Sequence, residues 1–299
     1  MSENESKFEL ELPGAELVRV HGLPAVRVRN ENASGLVYLQ GAHVAAFQPK
    51  GQEPVIWMSE NALYVAGKAL RGGVPICFPW FGPHAEQKEF PAHGFARTLP
   101  FEYRGARIDS SARTELAFVL ESDEQTRAWF PYAFTASMCV AFGQSLRLEL
   151  SVTNRDSQPF TFEEALHSYF AVSDVTQACV RGLEGARYID KVREQGVFTE
   201  GTRELRFVAE TDRVYESSAT CIIEDRPGKR SLVIEKEGSG ATVVWNPWRE
   251  RATQMSDLGA AAWPRMLCVE SANVGKSRVT LAPGASHRLA VTVSVLGIS

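Results

Sequence analysis

The sequence predicts an all-β protein, namely a large antiparallel β-sandwich with few short helices, and three observations support this. Short runs in which apolar and polar residues alternate recur along the chain, and a period of two is typical of half-buried strands. Helical periodicity is nearly absent. The 299 residues, 44% hydrophobic and 23% charged, are enough to bury a large core. Many strands with little helix favour packed antiparallel sheets.

The clearest strand is LRLELSV at 146–152, in which the three leucines and the final valine share one face. NRDSQP follows it as a turn, and FTFEEALHSYF then resumes as a strand. APGAS, between RVTL and HRLAV, is typical of a hairpin connection. SDLGAAAWP at 256–264 predicts one short helix, with Ser256 as its cap and Pro264 beyond its end. Further strands are predicted at LVYLQ, TELAFVL, TASMCVAF, SLVIEK, ATVVWN, MLCVES, RVTL and HRLAVTVSVLG.

The domain organisation is simple, because no internal repeat, low-complexity segment or linker-like change of composition interrupts the chain. We expect one β-sandwich domain over residues 1–299, with the first ten residues flexible.

Charge and composition exclude several classes of partner. The net charge is −4 with a pI of about 5.9, and no stripe of Lys and Arg marks a nucleic-acid surface. The N-terminus lacks the features of a signal peptide, and no run approaches the roughly 20 apolar residues that span a bilayer. The five cysteines are scattered and never spaced as CxxC, which indicates reduced thiols. We expect a cytoplasmic monomer with a small-molecule substrate and no nucleic acid or membrane partner.

The first candidate for chemistry is His167 in EEALHSYF. If this run is a strand, His167 shares a face with Ala165 and Tyr169. One interpretation is a histidine hydrogen-bonded within the sheet. The other is a general acid or base, since imidazole titrates near neutrality.

The second candidate is Glu270, which interrupts the apolar strand of RMLCVESANV and shares a face with Met266 and Cys268. A carboxylate in such company is costly to bury without a partner. It is either a salt bridge at the end of a strand or a base in a pocket.

Two further residues have ordinary alternatives. Trp245 in VVWNPW offers a platform for the C–H face of a sugar, although core filling is the commoner use of tryptophan. Asp212 in TDRVY would alone be taken for a turn residue.

Metal and cofactor motifs are not found. His84, His93 and His167 fit no metal-binding spacing, and neither HxH nor HExxH occurs. GxGxxG and Walker-type loops are also missing from the sequence, as is the GxSxG of hydrolases. We expect no metal and no cofactor.

The segment RGGVPICFPWFGPHAEQKEFPAHGFAR runs from Arg71 to Arg97 and is too broken for a helix. With EALHSYF, TDRVY, VVWNPW and CVESANV following in order, it resembles the glucose-6-phosphate 1-epimerases of the aldose 1-epimerase (galactose mutarotase-like) superfamily. The resemblance extends from about residue 35 to the C-terminus. It implies a large antiparallel β-sandwich of the galactose mutarotase-like type. It also implies that α and β anomers of a hexose 6-phosphate are interconverted without cofactor or metal.

By this resemblance, His167 and Glu270 match the catalytic histidine and glutamate of the family. Arg71, Arg97 and Asp212 match substrate-binding residues. The sequence departs from the pattern at Ala92, where some members carry a substrate-binding Gln, and His93 is the candidate to replace that contact. Trp245 is expected to bind the sugar as well.

Ring opening explains why this chemistry needs such residues. The C1 hydroxyl must lose a proton while the ring oxygen gains one, so we expect Glu270 as base and His167 as acid on opposite sides of C1. A phosphate dianion needs fixed cationic donors, and the guanidinium forks of Arg71 and Arg97 are the phosphate-binding candidates. Each arginine alone would be interpreted as a surface salt bridge.

Three alternatives stay open at this point. One is an epimerase acting on unphosphorylated aldoses, and another is a non-catalytic β-sandwich that binds a sugar phosphate or carbohydrate. A metal-dependent β-sandwich enzyme comes last.

Overall fold

The computed structural model describes residues 7–298, and the chain folds there into strands with two short α-helices. The helices are α1 (Glu124–Trp129) and α2 (Trp248–Thr253), and single 3-10 turns occupy Ala96–Thr98, Trp263–Arg265 and Gly275–Ser277. The strands, in chain order, are β1 (Ala15–Val20), β2 (Leu23–Arg29), β3 (Ala33–Tyr38), β4 (His43–Pro49), β5 (Ile76–Cys77), β6 (Glu102–Ile108), β7 (Thr114–Glu121), β8 (Phe134–Phe142), β9 (Leu146–Asn154), β10 (Phe160–Phe162), β11 (Glu164–Leu166), β12 (Tyr169–Ala171), β13 (Cys179–Arg181), β14 (Arg187–Asp190), β15 (Gly196–Thr199), β16 (Leu205–Arg206), β17 (Thr211–Tyr215), β18 (Cys221–Asp225), β19 (Arg230–Glu237), β20 (Ala241–Asn246), β21 (Met266–Asn273), β22 (Val279–Leu281) and β23 (Ser286–Gly297).

These strands form antiparallel sheets, which confirms the predicted all-β class. The nine-stranded sheet has the order β16-β13-β18-β19-β23-β9-β8-β7-β6. The eight-stranded sheet has the order β15-β14-β17-β20-β21-β11-β5, and β12 is a further partner of β21. Strands β1 to β4 form a four-stranded sheet, and β10 pairs with β22 alone.

The main hydrophobic core is shared by the two large sheets. Leu148 and Leu150 of β9 are fully buried in it, as the alternation in LRLELSV predicts. From the other sheet, Leu267 and Val269 of β21 enter the same core, together with Leu166 next to the candidate histidine. The alternate residues of β21 point away from this core, to the face that carries the candidate site.

Three local predictions are wrong. Residues 256–262 form turns instead of a helix, and α2 lies just before them; Gly259 has a positive φ of 89°, which no α-helix accommodates. APGAS does not connect a hairpin, because β22 pairs with β10 while β23 pairs with β9 and β19. The run FTFEEALHSYF is not one strand but three, since β10, β11 and β12 are separated by interruptions.

Two remaining observations concern the termini and membranes. Residues 1–6, on which most of the expected flexible segment falls, lie outside the described part of the chain. Glu9 exchanges two backbone hydrogen bonds with Ala106 of β6. Within residues 7–298, no helix is long and apolar enough to cross a membrane.

Candidate active site

The register of the eight-stranded sheet brings three predicted site residues, Asp212, Trp245 and Glu270, to one face. Asp212 lies opposite Trp245, and Trp245 lies opposite Cys268. Val243, two residues before Trp245, lies opposite Glu270. Because residues directly opposite each other share a face, and so do residues two apart on one strand, these side chains form neighbouring rows.

His167 enters this face from the adjacent strand. Strands β11 and β12 pair with β21 in the same register, so that His167, in the interruption between them, falls opposite Glu270. Its Nδ1 lies 3.3 Å from Oε1 of Glu270, and both residues are buried. The imidazole also stacks on Tyr169, with ring centroids 4.8 Å apart. The two groups that the sequence assigns as acid and base are thus direct neighbours.

Burial determines how protons are distributed between these two groups. It raises the pKa of Glu270 well above its usual range, and Asp212 adds to this, whereas Lys191 and Arg97 oppose it. Burial also lowers the pKa of His167 well below its usual range, and Arg97 acts in the same direction. Both shifts favour a protonated carboxyl beside a neutral imidazole over the ion pair. The two states differ only in the position of one proton, so the pair titrates as a unit.

The first half of the segment from Arg71 to Arg97 forms the edge of the sheet beside His167. The backbone N–H of His167 donates to the carbonyl of Pro75, and that of Tyr169 donates to the carbonyl of Gly73. Strand β5 then pairs with β11, with Cys77 opposite Ala165. The segment that the sequence marked as a binding loop is therefore fixed to the strand that carries the histidine.

The second half of the segment folds back on the first at Gly94. Gly94 bridges Phe78 and has a φ of 72°, and a Cβ there would overlap the carbonyl oxygen of Phe78. This close approach requires glycine. It turns His93 toward the pocket, where its ring centroid is 5.8 Å from that of His167.

His93 is a neutral hydrogen-bond donor in this environment. Burial and then Arg97 lower its pKa to about 3. The backbone N–H of Gly82 donates to its Nδ1 at 3.3 Å, which leaves the ring proton on Nε2. His93 therefore offers an N–H group to a ligand and is not an acid–base group at neutral pH.

The two arginines of the segment differ in their partners. Arg71 forms an ion pair with Asp257 at 3.1 Å, and its Nη1 donates to the hydroxyl of Tyr169 at 3.0 Å. Arg97 donates from Nη2 to the carbonyl of Ala92 at 2.6 Å, and its Nε is buried without a hydrogen-bond partner among the described residues. Within residues 7–298, no carboxylate lies within 4.0 Å of Arg97. The charge of Arg71 is thus offset, whereas that of Arg97 is available.

The pocket contains charged residues that the sequence did not single out. Lys191 lies 3.8 Å from Asp212 and 4.6 Å from the centroid of Phe81. Its backbone N–H donates to the carbonyl of Asp212, because β14 continues alongside β17. Burial raises the pKa of Asp212, and Lys191 opposes this. In the sequence, Lys191 is only the last residue of the run YIDK. Nothing in that run shows that its strand pairs with the strand of Asp212.

These residues surround an open cavity of about 690 Å³, a size typical of small-molecule sites. All seven predicted site residues line it. Its remaining lining includes residues from α2 and the turn after it. The predicted site residues are Arg71, His93, Arg97, His167, Asp212, Trp245 and Glu270, and the additional charged or polar ones are Lys191, Glu210, Glu250, Arg251 and Gln254.

The histidines considered for a metal do not come together as a set. His84 packs against Trp80 and Phe90, and its Nδ1 accepts from backbone N–H groups of the same loop. A different group, His167, Cys268 and Glu270, places one ligand atom each within 4.8 Å of the others.

Comparisons with known proteins agree on one kind of protein. A family model described as aldose 1-epimerase matches residues 24–294. A protein of Cenchrus ciliaris named "Putative glucose-6-phosphate 1-epimerase" is 35% identical over 299 residues, covering 96% of this chain and 90% of that protein. A protein of the same name from Salmonella typhimurium is 39% identical over 236 residues, covering 78% of this chain and 77% of that protein.

Solved structures agree as well. The crystal structure described as "a putative mutarotase" from Salmonella typhimurium is similar with a TM-score of 0.89 and 33% identity, covering 97% of both chains. The galactose 1-epimerase of Lactobacillus acidophilus shares the fold, with a TM-score of 0.72 at 12% identity, covering 97% of this chain and all of that one. The galactose mutarotase-like β-sandwich expected from the sequence is thereby confirmed.

Proposed function

This chain belongs to the aldose 1-epimerase family of isomerases, and we propose that it interconverts the α and β anomers of a hexose 6-phosphate, with glucose 6-phosphate as representative substrate. The observation that carries the proposal is the buried pair of His167 and Glu270 at the floor of a cavity that also contains Arg97. An acid–base pair is what ring opening needs, and an arginine without a carboxylate partner suits a phosphate. The names of the relatives support the same substrate.

The reaction begins when the Glu270 carboxylate accepts the proton of the C1 hydroxyl. As the bond between C1 and the ring oxygen breaks, the His167 imidazolium donates its proton to that oxygen. The products are a protonated Glu270, a neutral His167 and the open-chain aldehyde. Rotation about C1–C2 and reversal of both transfers close the ring on the other face. Each proton transfer typically contributes about 10²–10⁴ to the rate.

The short distance within the pair suits this scheme. The two reacting oxygens are both bonded to C1, so the groups that serve them must be neighbours. Burial favours the neutral pair, which is the state that accompanies the open-chain aldehyde. The carboxylate and imidazolium form that starts the reaction is therefore the minor form of the pair, and Lys191 and Arg97 favour its carboxylate.

The phosphate is assigned to Arg97. The Asp257 carboxylate already offsets the charge of Arg71, which leaves that guanidinium to donate to neutral hydroxyls. Trp245 lies 6.1 Å from His167, measured between ring centroids, and offers its ring to the C–H face of the sugar. The Nε2–H group of His93 takes the place of the amide that some relatives carry at position 92.

Exchange between anomers, measured by NMR on glucose 6-phosphate and on galactose, tests the proposal. We expect acceleration on the phosphosugar, lost by about 10²-fold or more in Glu270→Gln and retained in Glu235→Gln, an exposed carboxylate of β19. Equal acceleration on galactose would move the assignment to unphosphorylated aldoses. No acceleration on either sugar would leave a non-catalytic binding protein.

Organisation and location belong to the same proposal. A single core cluster runs from Val26 to Val293, which supports one domain over residues 1–299. The same proposal includes a monomer. None of the five cysteines forms a disulfide, in keeping with a reducing, cytoplasmic location.

A further inference from the structure

Cys268, a thiol that the proposed proton transfers do not use, is fully buried just behind the lining of the pocket. Cys268 and Glu270 are two residues apart on β21, so both side chains point to the pocket face. His167 faces them from the neighbouring strand. A nitrogen, a sulfur and an oxygen atom of these residues lie within 4.8 Å of one another. All three residues are buried.

Two polar atoms of this cluster have no hydrogen-bond partner among the described residues. They are Nδ1 of His167 and Oε2 of Glu270, and both are buried. Buried polar atoms normally have partners, so each such exception requires an explanation. Nδ1 faces Oε1 of Glu270 at 3.3 Å and Oε2 faces no partner within residues 7–298; both atoms can ligate a metal, and they belong to the same small cluster as the sulfur of Cys268.

We propose that His167, Cys268 and Glu270 form an inhibitory site for a thiophilic divalent cation, with Zn²⁺ as the representative ion. An imidazole, a thiolate and a carboxylate are ligands that Zn²⁺ prefers, and three protein ligands leave a fourth position for water. Bonds of about 2.0–2.3 Å place tetrahedral ligands a little under 4 Å apart. The widest pair of the cluster therefore has to close by about 1 Å, which small side-chain rotations provide.

The surroundings limit the affinity of this site. Burial keeps the Cys268 thiol protonated, with its pKa well above the usual range, and the incoming ion must displace that proton. Arg71 and Arg97 repel a dication, while Asp212 attracts it. The structure thus fits reversible inhibition and not a permanently held cofactor.

Inhibition follows from which atoms the ion would occupy. The metal would take a nitrogen lone pair of His167 and an oxygen of Glu270, and both groups then lose the proton transfers proposed above. Binding of the ion itself requires no sugar, so this inference can be tested even if the proposed function fails.

Cobalt binding is the direct test, because Co²⁺ at a thiolate site gives a charge-transfer band in the near ultraviolet. We expect one Co²⁺ per chain with this band in the wild type and in Cys139→Ser, a half-buried thiol of β8 outside the pocket. Cys268→Ser should lack the band and bind Co²⁺ at least about tenfold more weakly. Absence of the band in the wild type, or its persistence in Cys268→Ser, would overturn the proposal.

A second experiment measures how Zn²⁺ inhibits anomer exchange in the same variants, after a chelator has removed bound metal. Cys268→Ser should keep the wild-type exchange rate on glucose 6-phosphate, while the Zn²⁺ concentration for half-inhibition rises at least about tenfold. Equal Zn²⁺ sensitivity in wild type and variant would contradict the assignment. Cys268→Ala, with near-ultraviolet circular dichroism as a check of folding, replaces the serine variant if a buried hydroxyl unfolds the chain.

Discussion

Nδ1 of His167 lies 3.3 Å from Oε1 of Glu270. The two residues lie opposite each other because β11 and β12 pair with β21 in the same register. The sheet itself therefore fixes the geometry of the acid–base pair. The strand that carries Glu270 is buried along its whole length, which holds its backbone in place.

The pH dependence of exchange should be bell-shaped, with apparent pKa values that belong to the pair. Burial lowers the pKa of His167, which puts the acid limb below pH 6.5, and it raises the pKa of Glu270, which moves the alkaline limb upward. Lys191 lowers the pKa of Glu270, so Lys191→Met should move the alkaline limb to higher pH. Lys276→Met, an exposed lysine, is the control. The alkaline limb is the informative one, because the substrate phosphate itself titrates near pH 6 and affects the acid limb. A shift of the alkaline limb to lower pH in Lys191→Met would contradict the electrostatic role of Lys191.

Glu270→Gln should raise thermal stability while it removes activity. The folded-state pKa of Glu270 lies above its unfolded value, so its stabilising contribution is complete below about pH 4.5 and is lost as the pH rises toward the folded pKa. Glutamine does not ionise, so the Tm advantage of the variant should be larger at pH 8 than at pH 5. Thermal unfolding at both values checks this. An advantage that stays constant with pH would show that ionisation of Glu270 is not the cause.

Arg97 and Arg71 should differ in their kinetic signatures. A phosphate contact stabilises the ground state and the transition state alike, so Arg97→Met should raise KM for glucose 6-phosphate about 10–100-fold, and any smaller change in kcat reflects its influence on the pKa values of His167 and Glu270. Arg71 contacts Tyr169, which stacks on His167, so Arg71→Met should lower kcat as well. Steady-state kinetics separate the two effects. A KM for glucose 6-phosphate that rises in the Arg71 variant and not in the Arg97 variant would contradict the assignment.

Gly94→Ala should destabilise the fold far more than Gly82→Ala. Both glycines have a positive φ, 72° and 78°, so both variants carry the cost of a left-handed alanine, about 1–2 kcal/mol. Only at Gly94 would the new Cβ overlap a backbone carbonyl, whereas nothing lies within 4 Å at Gly82. Urea unfolding measures the difference, and equal losses would refute the steric argument.

His287 should make the fold more stable at mildly acidic pH. Its Nε2 lies 3.1 Å from Oε1 of the fully buried Glu164, and this contact raises the pKa of the imidazole. A raised folded-state pKa gives stability that is complete below about pH 6.5 and disappears above the folded value. The Tm loss in His287→Gln should therefore be larger at pH 5.5 than at pH 8.5. His21→Gln, at an exposed position, should show no such trend.

The sequence predicts much of this site because local patterns determine which way a side chain points. The alternation of side chains along a strand predicts that His167 shares a face with Tyr169 and that Glu270 shares a face with Cys268. The structure confirms both predictions. The ordered motifs led to the family that the comparisons confirm. All seven residues named from sequence line one cavity.

What the sequence could not provide was pairing between distant strands. Lys191 is a pocket residue only because its strand runs beside that of Asp212, and no local period contains that information. The hydrogen bonds from the N–H groups of His167 and Tyr169 to the carbonyls of Pro75 and Gly73 likewise join segments that lie far apart in the chain. The helix predicted at 256–264 failed because Ser59 donates to the carbonyls of Asp257 and Leu258, which fixes that segment as a turn.

The division of the pocket between strands and loops has an evolutionary consequence. Of the proton-transfer residues, Glu270 lies on β21 and His167 lies in the interruption beside it, and the neighbours Val269 and Leu166 pack in the shared core. Arg251 and Gln254, by contrast, come from α2 and the turn after it, whose exposed residues can vary without disturbing the sheet. Lineages of this fold can therefore diversify the sugars they accept while inheriting one unchanged reaction.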